Sequence, residues 1–168
     1  WFGYCLTVDT SQQKMLLLVG PKRSGKGTIG RILTALIGEN NISAPTLGSL
    51  TSNFGLQPLL GKQLAIISDA RLSGRADQPI VVERLLAISG EDGITVDRKN
   101  KSQLTVKLPV RFMIMTNELP KLNDASGALA SRFIVLTLRN SFYGKEDTKL
   151  SKRPVKPTLF FSLRSLML

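Results

Sequence analysis

The chain of 168 residues contains no histidine and a single cysteine, Cys5. These two scarcities exclude a disulfide within the chain, a zinc site built from Cys and His, and acid–base catalysis by histidine. Any catalysis must therefore use carboxylates, Lys, Arg and a bound metal. Cys5 itself is expected to be a small, buried apolar residue.

Long apolar runs are also missing. No stretch approaches the roughly 20 apolar residues that span a bilayer. The N-terminus lacks the basic start and continuous apolar block of a signal peptide. We therefore expect no contact with a membrane and a cytoplasmic location.

Acidic residues are outnumbered, with 12 Asp and Glu against 23 Lys and Arg, which gives a formal net charge of +11. Residues 1–140 carry 17 basic against 10 acidic residues, and the last 28 carry six against two. The excess is thus not confined to a tail. It favours a polyanionic partner such as nucleic acid, the alternative being a basic protein that is merely very soluble.

The most informative stretch lies between an apolar run at residues 15–19 and a predicted helix at Lys26–Ile37. A strand, a glycine-bearing turn and a helix start form a phosphate-binding loop, in which backbone N–H groups and a lysine bind the phosphates of a nucleotide. The predicted nucleotide-binding residues are Gly20, Pro21, Lys22, Arg23, Ser24, Gly25, Lys26, Gly27 and Thr28.

One position departs from the phosphate-loop pattern, which places Ser or Thr directly after the lysine as a ligand of Mg²⁺. Here that position is Gly27, and the hydroxyl comes one residue later, on Thr28. One helical step turns a side chain by roughly 100°. Thr28 is therefore a candidate for the metal or for a phosphate.

Four apolar segments predict strands at residues 15–19, 63–67, 111–116 and 133–138, with helices at 26–37 and 80–88 and a shorter one at 56–60. Continuous apolar strands separated by helices indicate an α/β fold with a mostly parallel sheet covered on both faces. The predicted domain organisation is a remnant of an upstream segment at 1–13, a core at 14–140 and a tail at 141–168. The tail changes from basic to apolar and is expected to be an appendage that is either disordered or not native to the domain.

Three polar residues near strand ends are candidate catalytic groups. Asp69 follows the apolar segment Leu64–Ile67, and two alignments of this segment with the pattern of ATPases are open. In the first, Ser68 stands at the position of the Mg²⁺ ligand and Asp69 is the catalytic base. In the second, shifted by one residue, Asp69 is the acid that binds the metal. Asn117 follows the strand at 111–116 and could orient the γ-phosphate and the attacking water. Arg132 precedes the last strand and could act on the nucleotide of a neighbouring subunit.

Two alternating segments, 93–97 and 103–107, flank a polar stretch at 98–102. They predict a β-hairpin with basic residues at its tip. These are Arg98, Lys99 and Lys101.

Taken in order, the segments 20–28, 66–69, 85–101, 112–120 and 130–133 resemble those of superfamily-three helicases. The similarity is greatest to the helicase part of phage- and plasmid-type primase–helicase proteins, and it covers about residues 1–150. The resemblance implies an AAA+-like P-loop core that hydrolyses ATP with Mg²⁺ in a ring, commonly a hexamer, and moves single-stranded DNA during replication. It implies Lys26 on phosphate, Asp69 on metal or water, Asn117 as sensor, Arg132 as finger, and a basic hairpin that grips DNA. It also implies a phage or mobile-element protein in the cytoplasm of a bacterial host.

Two other functions remain open from the sequence. The sequence Gly25–Thr28 also matches the phosphate loop of nucleoside monophosphate kinases. Those enzymes need a lid that carries Arg, and the stretch from Arg71 to Arg75 is the one candidate for it. The chain could also be a remnant that binds nucleic acid through charge alone.

Overall fold

The computed structural model describes residues 1–70, 78–119, 124, 127–145 and 147. Seven strands lie within these ranges: β1 (Met15–Val19), β2 (Ile42–Ser43), β3 (Leu64–Ile67), β4 (Gly93–Arg98), β5 (Lys101–Lys107), β6 (Arg111–Thr116) and β7 (Phe133–Thr137). Three α-helices accompany them: α1 (Lys26–Ile37), α2 (Gln78–Ser89) and α3 (Ala128–Arg132). Short 3-10 helices lie at Tyr4–Leu6, Glu39–Asn41, Gly48–Thr51 and Gln57–Leu59.

The central sheet has five strands in the order β2-β3-β6-β1-β7, and every neighbouring pair is parallel. This confirms the predicted α/β fold with a parallel sheet flanked by helices. The carboxyl ends of all five strands meet at one edge, where open α/β sheets bind their ligands. Because β6 lies between β1 and β3, the residues that follow these three strands are neighbours.

Alternate residues of the strands enter two separate cores, since successive side chains point to opposite faces. On one face Leu16, Leu18 and Met113 pack against Leu33 and Ile37 of α1. The opposite face packs against α2 and the β4–β5 hairpin. Coverage on both sides explains why β1, β3 and β6 are continuously apolar and buried.

Glycines set the two ends of α1. The helix begins after Gly25, whose φ of 96° is a left-handed conformation that glycine adopts at no steric cost. It ends at Gly38, whose N–H donates to the carbonyl of Thr34 at 2.8 Å.

The N-terminal segment packs onto the core. Arg111, the first residue of β6, is only 3% exposed, and its Nη2 donates to the carbonyls of Thr7 at 2.9 Å and Asp9 at 2.5 Å. Its guanidinium also lies 4.3 Å from the centre of the Tyr4 ring. Cys5 is buried, as predicted, and burial raises the pKa of its thiol to about 12.

One prediction needs adjustment, and one strand was missed. The hairpin turn is tighter than the expected 98–102 tip: Arg98 and Lys101 pair as the last rung of the ladder, which leaves Lys99 and Asn100 as the turn. The two-residue strand β2 was not predicted, because so short a segment has no periodicity to detect. Most of the proposed tail, residues 148–168, lies outside the described residues. No helix within the described ranges is long and apolar enough to cross a membrane.

Candidate nucleotide site

The loop from Gly20 to Gly25 joins β1 to α1 at the carboxyl edge of the sheet. Arg23 and Gly25 both have positive φ, 60° and 96°, so the backbone turns sharply into the helix. The first N–H groups of α1 have no partner within the helix and favour an anion there. The loop therefore has the backbone form of a phosphate-binding turn.

Lys26 is held at the centre of this loop. Its Nζ donates to the carbonyls of Gly20 at 2.7 Å and Pro21 at 2.9 Å, and contacts Ser24 Oγ at 3.4 Å. It also donates to Asn117 Oδ1 at 3.1 Å. The structure thus brings together two residues that are 91 positions apart and that the sequence assigned to one site.

Asp69 adds a negative charge to the same site. Burial lowers the pKa of Lys26, and the charge of Asp69 opposes that shift, so the carboxylate acts on the ammonium group electrostatically. Asp69 and Asn117 line a common cleft of about 550 Å³, together with Lys22 and Thr116. Asp69 is exposed and can reach a ligand in this cleft.

The residues of this site fit a nucleotide, but they supply only some of the ligands that its metal needs. No group of three or more His, Cys, Asp or Glu side chains in the described segments could hold a metal ion alone. A nucleotide-bound Mg²⁺ needs only one or two carboxylates besides the phosphates, and Asp69 can supply one. The hydroxyl of Thr28, the other candidate ligand, accepts a hydrogen bond from Arg31 Nη2 at 3.0 Å.

The segment after β7 packs against the phosphate loop. Leu138 N–H donates to Val19 O at 2.8 Å, and Phe142 N–H donates to Arg23 O at 3.0 Å. Ser141 Oγ donates to Lys22 O at 2.9 Å. These contacts, which the sequence did not predict, hold the outer side of the loop.

Arg132 lies at the end of α3 and bonds within its own chain. Its Nη1 donates to Leu86 O at 3.1 Å and to Ser89 Oγ at 3.0 Å, at the C-terminal end of α2. Gly90 leaves room for this arrangement, since a Cβ there would lie 3.0 Å from Nη1. A finger role in a neighbouring subunit would require the guanidinium to leave these bonds or to use its other donors.

The basic residues of the hairpin differ in their exposure to solvent. Lys99 and Lys101 are exposed, whereas Arg98 is half-buried and its Nε donates to Ser102 O at 2.9 Å. Lys99 N–H donates to Gln57 Oε1 at 3.0 Å, which ties the turn to the 3-10 helix Gln57–Leu59.

An exposed aromatic ring lies next to this contact and was missed by sequence reasoning. Phe54 is 48% exposed, and its carbonyl accepts the N–H of Gln57 at 3.1 Å. Arg84 of α2 donates to Ser52 O at 3.3 Å in the same segment. Exposed lysines on a turn, together with an exposed ring in the segment that the turn contacts, suit an unpaired nucleic acid strand, whose bases stack on aromatic side chains. A lone Phe in a loop gives no sequence signal for such a site.

The model of a protein family of unknown function, DUF5906, matches residues 18–132, which include the phosphate loop, Asp69, Asn117 and Arg132. The chain belongs to this family. The family description gives no activity, so function must be argued from the site.

Solved structures with the same fold include the NrS-1 C-terminal region. One apo form shares 20% identity at a TM-score of 0.73, over 97% of this chain and 38% of that one. A second apo structure of the region gives 20% identity and a TM-score of 0.67, over 90% and 36%. A JCV helicase with a bound acetamide compound gives 19% identity and 0.62, over 96% and 44%. This chain therefore spans less than half the length of these proteins, and at such identities the likeness shows the fold alone.

Proposed function

We propose that this chain is the ATP-hydrolysing domain of a helicase or translocase that moves on single-stranded DNA in phage- or plasmid-type replication. The observation that carries the proposal is the strand order. With β6 between β1 and β3, the Asn117 amide and the Asp69 carboxylate line one cleft at the carboxyl edge of the sheet. The Lys26 ammonium donates to Asn117 Oδ1 and is acted on by the charge of Asp69.

In this proposal Lys26 exchanges its loop acceptors for the β- and γ-phosphates of ATP. The exchange frees the Asn117 amide, which then orients the γ-phosphate and the attacking water. Asp69 binds the metal or accepts the proton of the water, two roles that its single carboxylate leaves open. Mg²⁺, when bound with the nucleotide, would neutralise charge on the phosphates. Positioning and charge stabilisation provide most of the catalysis in phosphoryl transfer.

The hairpin provides the nucleic-acid surface of the proposal. Lys99 and Lys101 would contact phosphates, with Arg98 behind them, and Phe54 would stack on a base. Arg132 would act as a finger on the nucleotide of the next subunit in a ring. The likeness to a JCV helicase is consistent with this class of function.

Nucleotide binding is tested by calorimetric titration of Lys26→Ala with ATP and Mg²⁺. Lys107→Ala is the control, since Lys107 is an exposed lysine at the end of β5. We expect the first variant to lose binding and the second to keep it. Equal ATP affinity in Lys26→Ala and the wild type would refute the nucleotide site.

DNA binding is tested by the salt dependence of single-stranded DNA affinity. Each phosphate contact contributes roughly 0.7 to the slope of log K against log salt for a single strand. The triple replacement of Arg98, Lys99 and Lys101 by Ala should lower the slope by about 2. Lys107→Ala, at the end of β5 away from the turn, should not change it. An unchanged slope in the triple variant would place the DNA contacts elsewhere.

A further inference from the structure

Arg31 of α1 lies over the first turn of its own helix. Its Nη2 donates to Thr28 Oγ1 at 3.0 Å, and its Nη1 is 3.5 Å from where a Cβ at position 27 would stand. Residues three and four apart on a helix share a face, which explains how Arg31 reaches both positions. Gly27 has no side chain to block it.

The surroundings of Arg31 form a second cleft, of about 420 Å³, on the α1 side of β3. Gly27, Arg31 and Ser68 line it, whereas Asp69 lines the cleft on the other side. In one of the two alignments given above for the segment Leu64–Ile67, Ser68 stands at the position of the metal ligand. Gly27 and Ser68 are then the two positions that supply ligands to Mg²⁺ in the phosphate-loop pattern. The chain therefore places a guanidinium next to the first of these two positions and in one cleft with the second.

The charge of Arg31 is available to a ligand. The described residues give its guanidinium one hydrogen bond, to a neutral hydroxyl, and no ion pair. Glu39 also lines the cleft. Arg suits phosphate because its planar fork can donate two parallel hydrogen bonds.

We propose that Arg31 binds a phosphate of the nucleotide and replaces part of the metal's charge, so that the site holds a nucleoside triphosphate without Mg²⁺. The inference rests on the nucleotide site proposed above. It adds a phosphate-binding residue outside the loop and predicts an unusually weak metal requirement for binding, not for hydrolysis.

The test is calorimetric titration with ATP, once with Mg²⁺ and once with EDTA, for the wild type, Arg31→Gln and Arg31→Lys. The wild type should bind in both conditions. Arg31→Gln should lose about tenfold or more of its affinity in EDTA, the effect expected for losing a hydrogen bond between charged groups, and less with Mg²⁺. Arg31→Lys should recover part of the loss. Lys107→Gln, which removes the same charge from the hairpin on the opposite face of the sheet, should match the wild type.

Two results would overturn the inference: a wild type that does not bind ATP in EDTA, or an Arg31→Gln variant that loses no more affinity in EDTA than with Mg²⁺. Lys26→Ala separates these from failure of the nucleotide site. If Lys26→Ala loses binding while Arg31→Gln does not, only the role of Arg31 is wrong. If Lys26→Ala binds like the wild type, the nucleotide site itself is wrong. Arg31 is exposed, so its variants should fold, and matching thermal unfolding curves verify this.

Discussion

Replacing Gly20 by Ala should displace the start of the phosphate loop. The new Cβ would lie 2.5 Å from Leu138 O, and ordinary contact begins at 3.4 Å, so the two atoms are about 0.9 Å too close. Leu138 cannot easily retreat, because its N–H is bonded to Val19 O at 2.8 Å. Gly20 is also tied to the neighbouring strand, since its N–H donates to Thr116 O at 3.2 Å.

Relieving such an overlap against backbone costs about 1–3 kcal/mol in the free energy of unfolding. For a chain of this size each kcal/mol lowers Tm by about 2–4 °C, so Gly20→Ala should unfold about 2–12 °C below the wild type. Because Gly20 O is also an acceptor of Lys26, ATP affinity should fall with the stability.

The assay is thermal unfolding followed by circular dichroism, with ATP titration of the same samples. Gly48→Ala is the matched control, because a Cβ at Gly48 meets no heavy atom within 4 Å. That variant should unfold and bind as the wild type does. If Gly20→Ala behaved like Gly48→Ala, the close packing of Leu138, the residue after β7, against the phosphate loop would be wrong.

Three further predictions concern Cys5, Lys26 and Arg132. Because the folded pKa of Cys5 is raised from 9.0 to about 12, its contribution to stability is present below pH 9 and is lost as the pH rises towards 12. Labelling of the Cys5 thiol should be negligible in the native protein and should appear when the protein unfolds in urea. Rapid labelling of the native protein would contradict the burial of Cys5. Because burial lowers the pKa of Lys26 from 10.5, ATP affinity should decline with rising pH already below 10.5, and Lys26→Arg, which stays charged, should bind with a flatter pH profile in calorimetry. Arg132→Ala should lower the unfolding free energy in urea by about 1.5–3 kcal/mol, because α2 loses hydrogen bonds from a charged donor. If Arg132 is also a finger, mixing Arg132→Ala with Lys26→Ala chains in an assembling preparation should restore some ATPase activity. If no activity returns, the role of Arg132 is confined to its hydrogen bonds with α2.

Much of the fold could be predicted from local sequence. The strands at Met15–Val19 and Arg111–Thr116 and the helix Lys26–Ile37 were predicted at the residues where the structure has them. Buried parallel strands are continuous apolar runs, and glycines at both ends of α1 fix its limits. The site residues Lys26 and Asn117 were recognisable because each follows such a run.

What the sequence alone determined is therefore the set of elements and the chemistry at their ends, because apolar runs, glycines and charges act over a few residues. The tertiary structure decided what lies beside what. Only the insertion of β6 between β1 and β3 brings Asn117 to Lys26, and only the packing of α3 on α2 engages Arg132 within its own chain. The same holds for Arg31: its sequence position shows a basic residue on a helix, whereas its place over Gly27 depends on the rotamer and the cleft that β3 completes. Pairings across tens of residues arise from strand order and side-chain direction, which no local pattern encodes.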